Sequence, residues 1–258
     1  MPFGTDLFVG GGFSLAGGNA SDKIAKWDGS NWSALGSGMN SNVLALAMSG
    51  SDLIAGGEFT SAGGVGANRI AKWNGNSWAS VGSGMDGKVS TLFVSGSDLY
   101  AGGAFTTAGG VAATNVAKWN VATWSALGAG VPREAFAIGE YGGVLYVGTS
   151  SLLPGGGSMA YNFFSWNGSS WTTILGMSGT VWVITKSGAG LYAGGAMNSV
   201  GSAAAKKNIA KWDGINWSAL GKAGIGGLVN AIAVSGSNVY VGGIFTSAGG
   251  VAANYVAN

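Results

Sequence analysis

The 258-residue chain has no cysteine, no histidine and only 3 prolines, and just 9% of its residues are charged, against roughly 25% in ordinary soluble domains. Without these two residue types, Ser-His-Asp and Cys-His constellations, zinc sites built on those ligands and histidine acid–base chemistry are excluded. Absent thiols rule out disulfide staples and fit both an oxidising exterior and the cytosol. No apolar run approaches the ~20 residues that span a bilayer, so no membrane span is expected. Met1-Pro2-Phe3-Gly4 leads into a strand pattern without a basic or apolar leader, so no signal peptide is expected in this chain. The net charge of +2 is thinly spread: Lys26, Lys72, Lys118 and Lys211 share one repeat position, and Lys206-Lys207 is the basic doublet. A nucleic-acid footprint needs basic residues concentrated on one face, so no nucleic-acid partner is expected.

What the chain does have is glycine, 51 residues of it, and a repeat. Ile70-Ala71-Lys72-Trp73-Asn74-Gly75-Asn76-Ser77-Trp78 has close copies starting at Ile24, Val116 and Ile209 and a worn copy at Phe164. The tryptophans Trp27, Trp73, Trp119, Trp166 and Trp212 are spaced by 46, 46, 47 and 46 residues. A period of this length signals a propeller or solenoid. The glycines recur at fixed repeat positions beside aromatic and branched residues, which is turn chemistry in a packed fold and not low complexity.

One unit, Val43 to Val81, shows the local logic. Val43–Met48 is an apolar run ended by Ser49-Gly50-Ser51-Asp52, and Leu53–Thr60 is a second run. Ser61–Asn68 is a Gly-rich loop, Arg69–Trp73 a third strand, Asn74-Gly75 a hairpin turn, and Trp78–Val81 a fourth strand. Four short antiparallel strands in series are what a propeller blade requires. No stretch has helical periodicity.

The apolar strand, the Leu99-Tyr100-Ala101-Gly102-Gly103 segment and the strand-turn-Trp hairpin together resemble the kelch-type propeller repeat. They are closest to the Gly- and Trp-rich tandem repeats of secreted bacterial proteins. The resemblance covers almost the whole chain and implies the fold; propellers host unrelated activities, so it implies little about function. The Trp27–Trp32 turn also resembles the Asp-box hairpin of sialidase-like propellers, but glycine and aromatic spacings differ, which points to convergent turn chemistry.

The fold class expected is therefore all-β, a β-propeller of four-stranded antiparallel blades in one domain, 1–258, with repeats at about 1–42, 43–88, 89–134, 135–180, 181–228 and 229–258. With strands named A to D, the chain opens at B (Leu7–Gly11) and closes after A (Val229–Val234), B (Val239–Phe245) and a clipped C (Tyr255–Ala257). Six blades, the first lacking A and the last lacking D, is the favoured count; five closed blades plus a tail is the alternative. Either leaves a seam with open strand edges, which template pairing with another chain.

The fourth repeat departs most. Val131-Pro132-Arg133-Glu134 replaces connections such as Met39-Asn40-Ser41-Asn42 and Met85-Asp86-Gly87-Lys88. Thr149 replaces the second glycine, Ser165 replaces the repeat lysine, and the 150–160 loop loses the Phe-Thr-x-Ala-Gly-Gly pattern. In kelch-type propellers the D–A and B–C connections share a face where ligands commonly sit. The resemblance thus marks Arg133, Glu134, Asp86, Lys88, Asn40 and Asn42 as candidate binding residues. The competing reading is drift in a stable repeat, with Arg133-Glu134 a solvated pair and Asp86 and Lys88 turn residues.

Ten of the 11 tryptophans, Trp27, Trp32, Trp73, Trp78, Trp119, Trp124, Trp166, Trp171, Trp212 and Trp217, fall at two repeat positions; Trp182 stands apart. Repeat-invariant aromatics fit packing between neighbouring blades; stacking on sugars is the alternative, and repeated weak sites would gain by multivalency. Galactose-oxidase-like enzymes share the kelch-type scaffold, but their copper site needs histidine and a cysteine-linked tyrosine. The 10 carboxylates are scattered over turns and strands, and no pair sits where a glycosidase would need it. No loop has calcium-binding spacing, and no Gly-rich turn leads into the Lys-Ser/Thr of a phosphate cradle. Asn31-Trp32-Ser33 and Asn216-Trp217-Ser218 match the glycosylation sequon, a pattern frequent by chance. No cofactor and no catalysis are expected. The expected role is an interaction, adhesion or structural module in an extracellular or cell-surface setting. Its partner is a protein or a second copy at the open seam; a multivalent lectin and a piece of a longer repeat protein are the alternatives.

Overall fold

The computed structural model describes residues 1–151, 162–188, 190–200, 208–221 and 223–258. The Lys206-Lys207 doublet and most of the 150–160 loop lie outside the described residues. Among the described residues there is no helix; the fold class is that of a β-propeller with six blade sheets. The chain divides into two compact units, Met1–Glu134 and Ala135–Asn258. The boundary falls between the third and fourth repeats, so each unit carries three blades.

In unit 1, blade 2 is built from A (Val43–Ser49), B (Asp52–Gly57), C (Ile70–Trp73) and D (Trp78–Ser80), hydrogen-bonded in the order A-B-C-D. Blade 3 repeats this with Lys88–Ser95, Asp98–Ala104, Val116–Trp119 and Trp124–Ala126. Blade 1 has B (Asp6–Gly10), C (Ile24–Trp27) and D (Trp32–Ala34). Where no A strand was expected, Pro2–Phe3 forms a two-residue one, pairing Pro2 with Leu7 and Phe3 with Asp6. In unit 2, blades 4 and 5 are complete, and blade 6 has A (Ile225–Ser235), B (Asn238–Ala248) and a clipped C (Val256–Ala257). No D strand follows it among the described residues.

The sequence motifs acquire physical causes. In Phe59-Thr60-Ser61-Ala62-Gly63-Gly64, Phe59 and Ala62 are core residues, and both glycines have positive φ (59° and 80°), the geometry of a tight primed hairpin turn. That turn joins a small ribbon, Ser61–Ala62 with Val65–Gly66. The Gly56-Gly57 doublet that ends the B strand of blade 2 meets two demands. A Cβ on Gly56 would lie 2.6 Å from Val89 Cγ1 of the next blade, and one on Gly57 would lie 2.1 Å from the carbonyl oxygen of Asn42. The first glycine admits the neighbouring blade's valine and the second clears the backbone of its own A strand, where the ladder shifts register between Val43 and Ala45.

The repeat lysines form a cross-strand series in unit 1: Lys26 with Asp6 at 3.1 Å, Lys72 with Asp52 at 3.1 Å and Lys118 with Asp98 at 2.5 Å. In blade 4 both partners are exchanged together, for Ser165 and Val144. These are partly exposed pairs, each worth about 0–1 kcal/mol. The larger share of stability lies in apolar clusters between adjacent blades, such as Ile54, Ile70, Val81, Val89, Leu99, Phe105 and Trp124.

Candidate functional site

The six candidate residues all lie in unit 1, at the D–A connections or the first residue of an A strand, and the structure sorts five of them into two sets, with Arg133 apart. Asn40 and Asp86 tie each D–A connection to the B–C turn of the following blade. Asn40 Oδ1 accepts from the backbone N–H of Thr60 (2.9 Å) and Ser61 (3.1 Å), while its Nδ2 donates to Thr60 Oγ1 at 2.9 Å. Asp86 Oδ1 accepts from the N–H of Thr106 and Thr107, both at 2.9 Å, and Oδ2 accepts from the Thr106 hydroxyl. Burial opposes the charge of Asp86, but the Thr106 hydroxyl and the N–H groups of Thr107 and Thr106 outweigh it and hold the carboxyl below its ordinary range. The amide or carboxyl oxygens of these two residues are thus engaged within the blade. At the same position blade 4 has Pro132, which offers no such acceptor side chain.

The second set comprises Asn42, Lys88 and Glu134, at the residue that opens each A strand or immediately precedes it. Asn42 Nδ2 donates to Glu58 Oε2 at 3.1 Å. Glu134 Oε1 lies 2.9 Å from Lys88 Nζ and accepts from Ser90 Oγ at 2.7 Å. Arg133 is only 8% exposed, so its guanidinium is an interior group and not half of a solvated pair. Lys88, Ser90 and Glu134 form a compact polar cluster whose charges compensate one another. Thr180 stands at the corresponding position in unit 2, with its hydroxyl 3.1 Å from both Ser151 N and Ser151 Oγ.

The remaining carboxylates of the repeat turns are also spoken for. Asp28 Oδ1 accepts from the N–H of Asn31 (2.7 Å) and Ser30 (2.8 Å), and Asp213 Oδ1 from Asn216 (2.6 Å) and Ile215 (2.8 Å). These backbone donors hold both carboxyls below the ordinary range. No group of three or more Asp or Glu side chains among the described residues is arranged to hold a metal ion.

The tryptophans pair across the C–D hairpins, with ring centroids 5.4 Å apart for Trp27–Trp32, 5.3 Å for Trp73–Trp78, 5.4 Å for Trp119–Trp124, 5.2 Å for Trp166–Trp171 and 5.0 Å for Trp212–Trp217. Such pairs add about 0.5–1.5 kcal/mol beyond area burial. Trp78 and Trp124 are buried against the preceding blade, where their Nε1–H groups donate to Leu35 O (2.8 Å) and Val81 O (3.0 Å). The Trp27–Trp32 pair of blade 1 is half-buried.

Sequence reasoning did not name the surface left by the short A strand of blade 1. Met1 exchanges hydrogen bonds with Phe8 through Met1 N to Phe8 O (2.6 Å) and Phe8 N to Met1 O (2.8 Å). Beyond that point no strand pairs with the A side of Val9–Gly10 among the described residues. An open groove of about 380 Å³ lies there, lined by Met1, Phe8, Val9, Gly10 and Val43–Leu46. The strand count pointed to a deficient A position, and lining residues follow only from the neighbouring blade's placement.

No protein family matches the chain, and no curated protein matches it. Among solved structures the chain is similar to the computationally designed Ika8 protein, at 16% identity and a TM-score of 0.58, over 86% of this chain and 62% of that one. It therefore spans less than two thirds of that protein's length. The computationally designed Ika4 protein matches at 14% identity and a TM-score of 0.48, over 69% of this chain and 94% of that one. At these identities the Ika8 likeness speaks to the fold alone. No helix among the described residues is long and apolar enough to cross a membrane.

Proposed function

We propose that the protein is a non-catalytic propeller module that associates by strand addition, docking a protein or a second copy of itself at an open blade edge, in an extracellular or cell-surface setting. The observation that carries this reading is the unpaired A side of Val9–Gly10 with its groove of about 380 Å³. Unpaired backbone N–H and C=O groups beside apolar side chains are what an added strand satisfies. The polar side chains support the same reading, because Asp86, Glu134, Asp28 and Asp213 serve turns and ion pairs.

The test is solution mass by light scattering across a concentration series, with a Val9→Pro variant to break the edge. Mass that grows with concentration, and falls back in the variant, is the expected result. A monomer at every concentration that also captures no extended peptide overturns it. Lectin activity is the competing outcome, favoured by the half-buried Trp27–Trp32 pair. Glycan binding that is lost in Trp32→Ala without unfolding would replace the assembly reading.

A further inference from the structure

The C–D hairpin of one blade and the face of the blade before it make a repeated interface, and unit 2 ends with that interface half-built. In unit 1 the second tryptophan of the hairpin fills a slot between the B–C ribbon of its own blade and the end of the preceding blade's D strand. A Cβ placed on Gly63 would lie 2.8 Å from the Trp78 ring, and one on Gly109 would lie 2.9 Å from the Trp124 side chain. On the other wall, a Cβ on Gly36 would lie 3.5 Å from both Trp73 and Trp78, and one on Gly82 would lie 3.1 Å from Trp119 and 3.2 Å from Trp124. The corresponding glycines for blade 6 are Gly249 and Gly221, and nothing described lies within 4 Å of a Cβ at either. Between them is a groove of about 350 Å³, lined by Ile209, Leu220, Ile225, Val239, Val241 and Ala248 among others. Ile209, Leu220, Val239 and Ala248 stand at the repeat positions of Ile70, Val81, Leu99 and Ala108, which pack around Trp124. The clipped strand Val256–Ala257 pairs with Val241 and Gly242 on one side, and no strand pairs with its other side among the described residues.

We infer that this groove is a binding site for an extended segment of a partner chain led by a tryptophan and followed by small residues, the chemistry of Trp124-Ser125-Ala126. The segment adds as the D strand beside Val256–Ala257. Its indole enters between Gly221 and Gly249, and its N–H donates to the carbonyl of Leu220, as Trp124 does to Val81. The occupant's chemistry is fixed by continuity: the groove is the next member of an interface whose other members are filled by tryptophan at the same position. Its volume is within the ~300–1,000 Å³ range of ligand pockets. Main-chain pairing supplies affinity and the indole slot supplies selectivity. The inference deepens the strand-addition reading, but uses a different edge from that at Val9–Gly10.

The experiment is fluorescence anisotropy of a dye-labelled peptide copying residues 122–130, titrated with the intact protein. Saturable one-to-one binding is expected. The peptide carrying Trp124→Ala should bind at least about tenfold more weakly, and one carrying Trp124→Phe should fall between them, as loss of one hydrogen bond predicts. Filling the groove in the protein with Val239→Trp should weaken binding by at least about tenfold while the melting temperature is kept. Absence of saturable binding, equal affinity for the Trp and Ala peptides, or undiminished binding by a folded Val239→Trp protein each overturns the proposal. A protein that stays monomeric yet binds the peptide sinks self-assembly at Val9–Gly10 and leaves this site standing.

Discussion

Trp124 in unit 1 and Trp217 in unit 2 occupy one repeat position, yet their indoles meet different ends. Trp124 Nε1 donates to Val81 O at 3.0 Å, whereas Trp217 Nε1 is buried with no hydrogen-bond partner among the described residues. The preceding blade explains the contrast. Where blade 2 presents Ile70, blade 4 presents Phe163, whose larger ring meets Trp217 edge-on at a centroid distance of 4.9 Å. The slot is thus partly filled from the opposite wall, and aromatic packing replaces the indole hydrogen bond. A repeat position specifies which residue arrives; the neighbouring blade decides what that residue can bond to.

The largest test of this contrast is truncation. Trp124→Ala should cost about 3–5 kcal/mol in urea unfolding, the usual penalty for emptying an aromatic site. The milder pair sharpens it. Trp124→Phe should cost about 1 kcal/mol by stranding the Val81 carbonyl, while Trp217→Phe, which discards an unsatisfied N–H, should be close to neutral. Equal costs for the two Phe variants would remove the distinction between the units.

The contacts that the units share should behave alike in both. Gly56→Ala drives a methyl into Val89, and Gly194→Ala into Val229, whose Cγ1 atoms lie 2.6 and 2.5 Å from the added carbon. Each should cost about 1–3 kcal/mol through overpacking. Val89→Ala should recover part of the first loss, giving a clear coupling energy in a double-mutant cycle. Additive losses would mean that the valine is not what excludes the methyl.

A smaller effect, of opposite sign, is expected at the C–D turn of blade 3. Gly29, Gly75, Gly168 and Gly214 take φ between 96° and 103° there, but blade 3 places Val121 at φ 79°. A β-branched residue in that region is strained, so Val121→Gly should raise stability by about 1 kcal/mol despite the entropy of glycine, measured as a higher urea midpoint. Smallest is the acid response of the Asp86 cap. Because its carboxyl is held below the ordinary range, its stabilisation is present above the unfolded-state pKa and is lost as pH falls through the folded value. Asp86→Asn, which installs the residue used at position 40, should flatten the acid limb of the stability profile and leave neutral-pH stability almost unchanged. An unaltered acid limb would show that the cap contributes nothing to it.

Much of the fold was legible from the chain. The 46-residue spacing and the Gly-Gly doublets located the strands of blades 2 and 3, and the Asn74-Gly75 turn the C–D hairpin of blade 2, because each feature acts through backbone geometry within a few residues. The two-residue A strand at Pro2–Phe3 was not legible: a pairing so short leaves no alternation to read, and it is held by the exchange between Met1 and Phe8. The candidate residues were legible as positions and not as roles. Asn40 and Asp86 differ in charge yet accept from equivalent pairs of backbone N–H groups in successive blades, and Arg133, which resembles an exposed charge in the sequence, is interior.

The sequence by itself determined the repeat, the strands and turns within it, and the absence of histidine and thiol chemistry, since these depend on residue identity and local spacing. Tertiary structure alone decided which indole finds an acceptor, which charge is compensated, and where an open edge meets an apolar groove. Those outcomes depend on atoms brought together from different blades, about 43 residues apart for each tryptophan bond, at separations no local pattern encodes.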